Sequence, residues 1–168
     1  MSSKRDAKKP KSTREKSASN HSGEQLHCLV SRAFYAYLTW LDRRLAETGL
    51  NKYLKPGMGP VLFELYKDDN LIIRDLVERT RFVPSTLTRT LKKMQRAKLI
   101  TQHKDSSDGR AIRIKLTALG RSLETACVNI ASEITAVMLS GIDEAQLLVS
   151  SDMLDKVAEN LRAEVLRD

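Results

Sequence analysis

Between Arg81 and Arg121 the chain carries eleven Lys and Arg residues and only two carboxylates, Asp105 and Asp108, a net charge of +9. Cations at this density suit a polyanion, because each one placed on a phosphate backbone releases a counterion. The whole chain of 168 residues is +8. Residues 1–23 hold seven cations against two carboxylates, residues 24–80 are balanced, and residues 122–168 hold three cations against nine carboxylates. The excess therefore sits in a tail and one central block. Other chemistries lack their constellations. The two cysteines, Cys28 and Cys127, are far apart with no CxxC, which argues against a disulfide framework or a zinc finger and suits a reducing cytoplasm. The three histidines, His21, His27 and His103, have no carboxylate spacing that completes a metal site. There is no Gly-rich phosphate loop and no nucleophile elbow. No catalytic residue, metal or cofactor is assigned, and no apolar run approaches the ~18 residues of a membrane span.

The central block needs a scaffold, and the spacing predicts one. Pro84 suits the first turn of a helix, with the cap left open. Leu87, Leu91 and Met94 then recur at i, i+4 and i+7 and face a core. Ser85, Arg89, Lys92 and Arg96 fall on the opposite side, flanked by Thr86, Thr88 and Lys93. Before it, Ile73, Leu76 and Val77 predict a short helix ending near Thr80. Short helix, tight turn and polar-faced second helix make a helix-turn-helix, whose first-turn side chains reach base edges in a major groove. Ser85, Thr86, Thr88 and Arg89 are the candidate base readers, and Lys92, Lys93 and Arg96 the candidate phosphate contacts. Leu99 to Lys104 then reads as a strand and residues 105–110 as a turn. Ile112, Ile114 and Leu116 alternate with Arg113 and Lys115 as a second strand. A hairpin here is a wing, with Lys104 on its strand and Arg110 at its tip aimed at a minor groove. His103, Asp105 and Asp108 belong to the wing, where they shape the turn or pair with Arg110. The fold class is mainly α with a small β-hairpin wing.

Long helices flank this winged helix-turn-helix, placed at about residues 56–117. Residues 1–21 hold no aliphatic residue larger than Ala after Met1 and are read as a disordered basic tail, either simply solvated or an arm for extra phosphate contacts. Residues 22–168 form the domain. A first helix at about 23–48 starts at a capping-box pattern, Ser22 with Gln25, and stops near Gly49. Val61, Leu62 and Leu65 predict a second helix after Pro60. Thr117 caps a helix running to Ser140, and Asp143 caps a last one, together about 118–166. Their apolar positions are read as inside, and the flanking helices suit intertwining with a second copy.

The order of elements resembles the MarR family of bacterial transcription regulators over about Leu26 to Leu161. Asp108-Gly-Arg110, the alternating strand, Leu116-Thr117 and Gly120 match its wing pattern. Asp75-Leu76-Val77, Ser85 to Arg89 and Leu99-Ile100 match neighbouring steps. Lys98 stands where the family has a helix-ending Gly. The resemblance implies a homodimer through the first, fifth and sixth helices, a palindromic double-stranded DNA operator, and a wing Arg in the flanking minor groove. It also implies a repressor released by a small aromatic or lipophilic effector. Phe34, Tyr37 and Trp40 on the first helix are candidate effector contacts, or core. Other members respond to oxidation, and Cys28 is the candidate redox residue, or a buried small side chain. Cys127 reads as core. A winged-helix protein-interaction module without DNA binding is a further alternative.

Overall fold

A computed structural model describes residues 25–167. The basic tail and Ser22 of the capping pattern lie outside them. The chain divides into two compact units, Met1–Thr39 and Trp40–Asp168. Helix α1 spans Leu26–Glu47, and Gly49 beyond it has φ 68°, the left-handed geometry that ends helices. In the first unit the rings of Phe34 and Tyr35 meet edge to face at 5.9 Å. Leu29, Phe34, Tyr35 and Tyr37 are all exposed, so the core reading fails for Phe34 and Tyr37 within the single chain.

The second unit holds the last turns of α1, a 3-10 turn at Leu50–Lys52, and then α2 (Gly59–Lys67), β1 (Leu71–Ile72), α3 (Ile73–Thr80) and α4 (Pro84–Arg96). After these come β2 (Ile100–Lys104), β3 (Ile112–Leu116), α5 (Ala118–Ser122), α6 (Glu124–Met138) and α7 (Glu144–Val165). Pro60 and Pro84 sit in the first turns of α2 and α4, where a missing N–H costs nothing. Val61, Leu62 and Leu65 of α2, Leu76 of α3, and Leu87, Leu91 and Met94 of α4 close one core with Leu99, Ile100 and Ile114. Thr90 is buried with them on α4; its position, three after Leu87, puts it there while its residue type conceals it.

Three expectations need correction. The sheet has three strands, ordered β1-β3-β2, rather than a two-stranded hairpin. β1 pairs antiparallel with β3, Leu71 facing Ile114 and Ile72 facing Arg113. Two residues are too few to show strand alternation. What holds them is the preceding turn: Asp69 Oδ1 accepts from Leu116 N at 2.9 Å and from Asn70 N at 2.8 Å. Asp69 Oδ2 pairs with Arg121 at 3.1 Å.

The helix expected from Thr117 to Ser140 is broken at Leu123 into α5 and α6. Thr117 caps as expected, its hydroxyl oxygen accepting from Gly120 N at 2.9 Å. Tyr66 then donates to Gly120 O at 3.2 Å, the carbonyl that residue 124 would claim in an unbroken helix. Gly120 is required there, because a Cβ would collide with the Leu99 carbonyl oxygen. Burial pushes both the Tyr66 hydroxyl and the Cys127 thiol beside it upward in pKa. Cys127 is therefore a neutral core residue, as its place in the apolar pattern suggests.

The apolar residues of the last helix are not inside. Asp143 caps α7 in a full capping box with Gln146, yet α7 buries none of its residues. Leu148 is 65% exposed and Leu161 62%. Among the described residues no element buries them, and Val157 alone of the large apolar side chains of α7 is half-buried.

Candidate nucleic-acid interface

Helix α4 separates two surfaces by its period. Its buried face is Leu87, Thr90, Leu91 and Met94. Ser85, Thr88, Arg89, Lys92, Lys93 and Arg96 are exposed, and Thr86 is half-buried. No side chain caps its N-terminus; Thr86 N and Leu87 N donate instead to Val83 O at 3.0 and 3.1 Å, and Pro84 has no N–H to satisfy. Thr88 donates its hydroxyl hydrogen to Pro84 O at 2.8 Å. Its hydroxyl is left with acceptor capacity only.

Ion pairing divides the cations further. Arg44, Arg79, Arg81, Arg113 and Arg121 each face a carboxylate. Among the described residues Arg89, Lys92, Lys93, Arg96, Lys104 and Arg110 form no ion pair. These six cations of the α4 and wing surface are thus solvated side chains, and Arg89, Arg96 and Arg110 keep their forks of donors available.

The wing is built on Asp105. Its carboxylate is buried and accepts from the Ser107 hydroxyl and from the N–H groups of Ser107 and Asp108. It also pairs with Arg113. These donors, Ser107 first, hold the carboxyl far below the usual carboxylate range. Arg113 in turn donates to Asn70 O at 2.7 Å, which ties the wing to the turn before β1. His103 Nε2 lies 3.0 Å from Asn70 Oδ1. The ion partner of Asp105 is therefore Arg113, in place of the expected Arg110. The reason is register: Arg113 lies opposite His103, two residues before Asp105. Arg110 stays exposed at the tip, its backbone N–H donating to Asp108 Oδ1 at 3.0 Å. Lys98 closes α4 with φ 60°, the left-handed geometry that a Gly would fill. Arg81 does the same after α3 at φ 55°; each costs on the order of 1 kcal/mol.

The candidate effector and redox residues separate. Trp40 lines a pocket of about 290 Å³ with Arg43, Arg44, Glu47 and Glu133. Arg44 and Glu133 form a two-bonded pair there at 2.6 and 2.8 Å. The bond raises the arginine and lowers the carboxylate in pKa. Phe34 and Tyr37 do not line that pocket. Cys28 is exposed rather than buried, and its Sγ lies 3.2 Å from His27 Nε2. Adjacent helical residues diverge by ~100°, but the two side chains still reach each other. Among the described residues no three His, Cys, Asp or Glu side chains gather as a metal site, and no helix is long and apolar enough to cross a membrane.

Residues 59–111, from the start of α2 to the end of the wing turn, match the model of the MarR family. Solved structures share the fold. A MarR transcriptional regulator from Methanosarcina mazei superposes with a TM-score of 0.64 at 22% identity, over 82% of this chain and 96% of that one. BpsR of Bordetella bronchiseptica, whose DNA binding is regulated by 6-hydroxynicotinic acid, gives 0.65 at 23% identity over 80% and 99%. The PcaV transcriptional regulator of Streptomyces coelicolor, solved with its natural ligand, gives 0.69 at 21% identity over 81% and 93%. At 21–23% identity the likeness to these two regulators is one of fold. Residues 59–111 thus resemble the MarR family, and the chain shares the fold of these regulators.

Proposed function

We propose that the chain is a sequence-specific, double-stranded DNA-binding transcription regulator, acting in the cytoplasm as a homodimeric repressor on a palindromic operator. The observation that carries this reading is the two-faced α4. Its apolar side is closed into the core, while its outer side presents Arg89, Lys92, Lys93 and Arg96 without carboxylate partners among the described residues. Ser85, Thr86, Thr88 and Arg89, in the first two turns, reach base edges. Lys92, Lys93, Arg96 and Lys104 meet phosphates, and Arg110 enters the flanking minor groove. The exposed apolar residues of α1 and α7 support pairing of two copies, since a soluble chain rarely leaves so many large apolar side chains open. Residues 23–48 and 118–166 then serve the dimer and residues 56–117 the operator. A small aromatic or lipophilic effector releases the DNA, and the pocket beside Trp40 is its place on the second unit. Selection of binding sites from random duplexes by the purified protein tests the reading. The expected product is a palindrome with half-sites about one helical turn apart; recovery of no common sequence contradicts it.

Cys28 favours a second reading, a redox-sensing regulator on the same fold, because its thiol is exposed beside His27. The Cys28 thiolate would attack a peroxide oxygen, the O–O bond would break, and a sulfenic acid and an alcohol or water would form. Peroxide should then abolish DNA binding in the wild type but not in Cys28→Ser. Equal sensitivity of both proteins rejects this reading.

A further inference from the structure

Arg81 differs from the other cations of its block, because it is tied to the last helix. It follows α3 in left-handed geometry, three residues before α4 begins. Its Nη1 lies 3.3 Å from Glu159 Oε1 on α7, 78 positions along the chain. Among the described residues this is the only hydrogen bond or ion pair between α7 and the winged helix. α7 has no fully buried residue, and Val157 and Arg162 on either side of Glu159 are half-buried. The left-handed position at a helix end is where glycine is cheapest. An arginine there accepts backbone strain and gains a side chain, and that side chain reaches Glu159.

We propose that Arg81 and Glu159 form a brace that sets the angle between the recognition helix and the long last helix. Both are positioning residues, and the proposal rests on the DNA-binding reading above. A dimer must present two α4 helices at the spacing of its half-sites. A link between the turn before α4 and α7 acts on that spacing. It does not act on which bases one helix reads.

The test uses the full chain as wild type, Glu159→Gln and the exchanged pair Arg81→Glu/Glu159→Arg. Each is titrated against the selected operator, against operators with the half-sites moved by one base pair, and against a single half-site. The wild type should discriminate sharply against the moved half-sites. Glu159→Gln should lose about twofold to fivefold on the native spacing, the range of an exposed ion pair. It should keep its affinity for the single half-site, so the native-to-moved ratio shrinks. The exchanged pair should restore that ratio even if its altered charge weakens every duplex. A brace with only a general structural role would lower all the duplexes alike. An unchanged ratio in Glu159→Gln, or no recovery in the exchanged pair, overturns the proposal. If the wild type retains no duplex, the DNA-binding reading is what has failed. The brace is then read from amide hydrogen exchange of residues 80–84 in the free protein. Exchange should speed up in Glu159→Gln and slow again in the exchanged pair; equal rates in all three overturn it.

Discussion

Helices α4 and α7 solve opposite problems. α4, with 13 residues, closes its apolar side completely inside one chain and leaves its charged side open. α7, with 22 residues, carries Leu147, Leu148, Met153, Leu154 and Leu161 and closes none of them. The first is a finished structural element with an unfinished polar surface, which suits a ligand of opposite charge. The second is an unfinished structural element, which suits an apolar partner. A helix's function here is read from the face its own chain leaves uncovered.

Substitutions on the two helices should therefore fail in different ways. The largest effect is expected for Leu87→Ala. It opens a cavity at a fully buried site and should lower folding stability by about 2–5 kcal/mol in denaturant titrations. Leu161→Asp on α7 should leave the winged helix folded by circular dichroism while sedimentation shows one chain in place of two. A folded Leu161→Asp dimer would break the contrast. Gly120→Ala sharpens it from the core side. The new methyl must displace the Leu99 carbonyl, at about 1–3 kcal/mol of stability.

A smaller effect is expected at the wing. Asp105 is held far below its normal pKa chiefly by Ser107 and the Asp108 N–H. Its contribution is fully present above the unfolded carboxylate pKa of about 4 and is lost as pH falls toward the folded value. Asp105→Asn should thus destabilise the wing at pH 7, and the gap to wild type should close in strong acid. A gap that persists unchanged at low pH would place the effect elsewhere.

Much of the winged helix is legible in the sequence because its signals are periodic. Leu87, Leu91 and Met94 fix the inner face of α4, and Ile112, Ile114 and Leu116 fix one strand of the wing. The break at Leu123 is not legible, because it comes from Tyr66 reaching a carbonyl 54 residues away. β1 is invisible for a related reason: its two residues become a strand only through Asp69 and β3. Hydrophobic periodicity marked α7 as an amphipathic helix but did not say whose core it enters. The candidate DNA contacts are legible by position. Which cations are committed to carboxylates is a property of the fold, and it separates Arg81, Arg113 and Arg121 from Arg89, Lys92 and Arg110.

Salt dependence of binding to the selected duplex, compared among wild type, Arg89→Ala and Lys92→Ala, tests the role of α4 most directly. Arg89→Ala should lose ~1–3 kcal/mol on the selected sequence and little on a scrambled one. Lys92→Ala should weaken both alike and reduce the slope of log affinity against log salt by about one. If the three proteins share one curve on both duplexes, the outer face of α4 does not meet DNA.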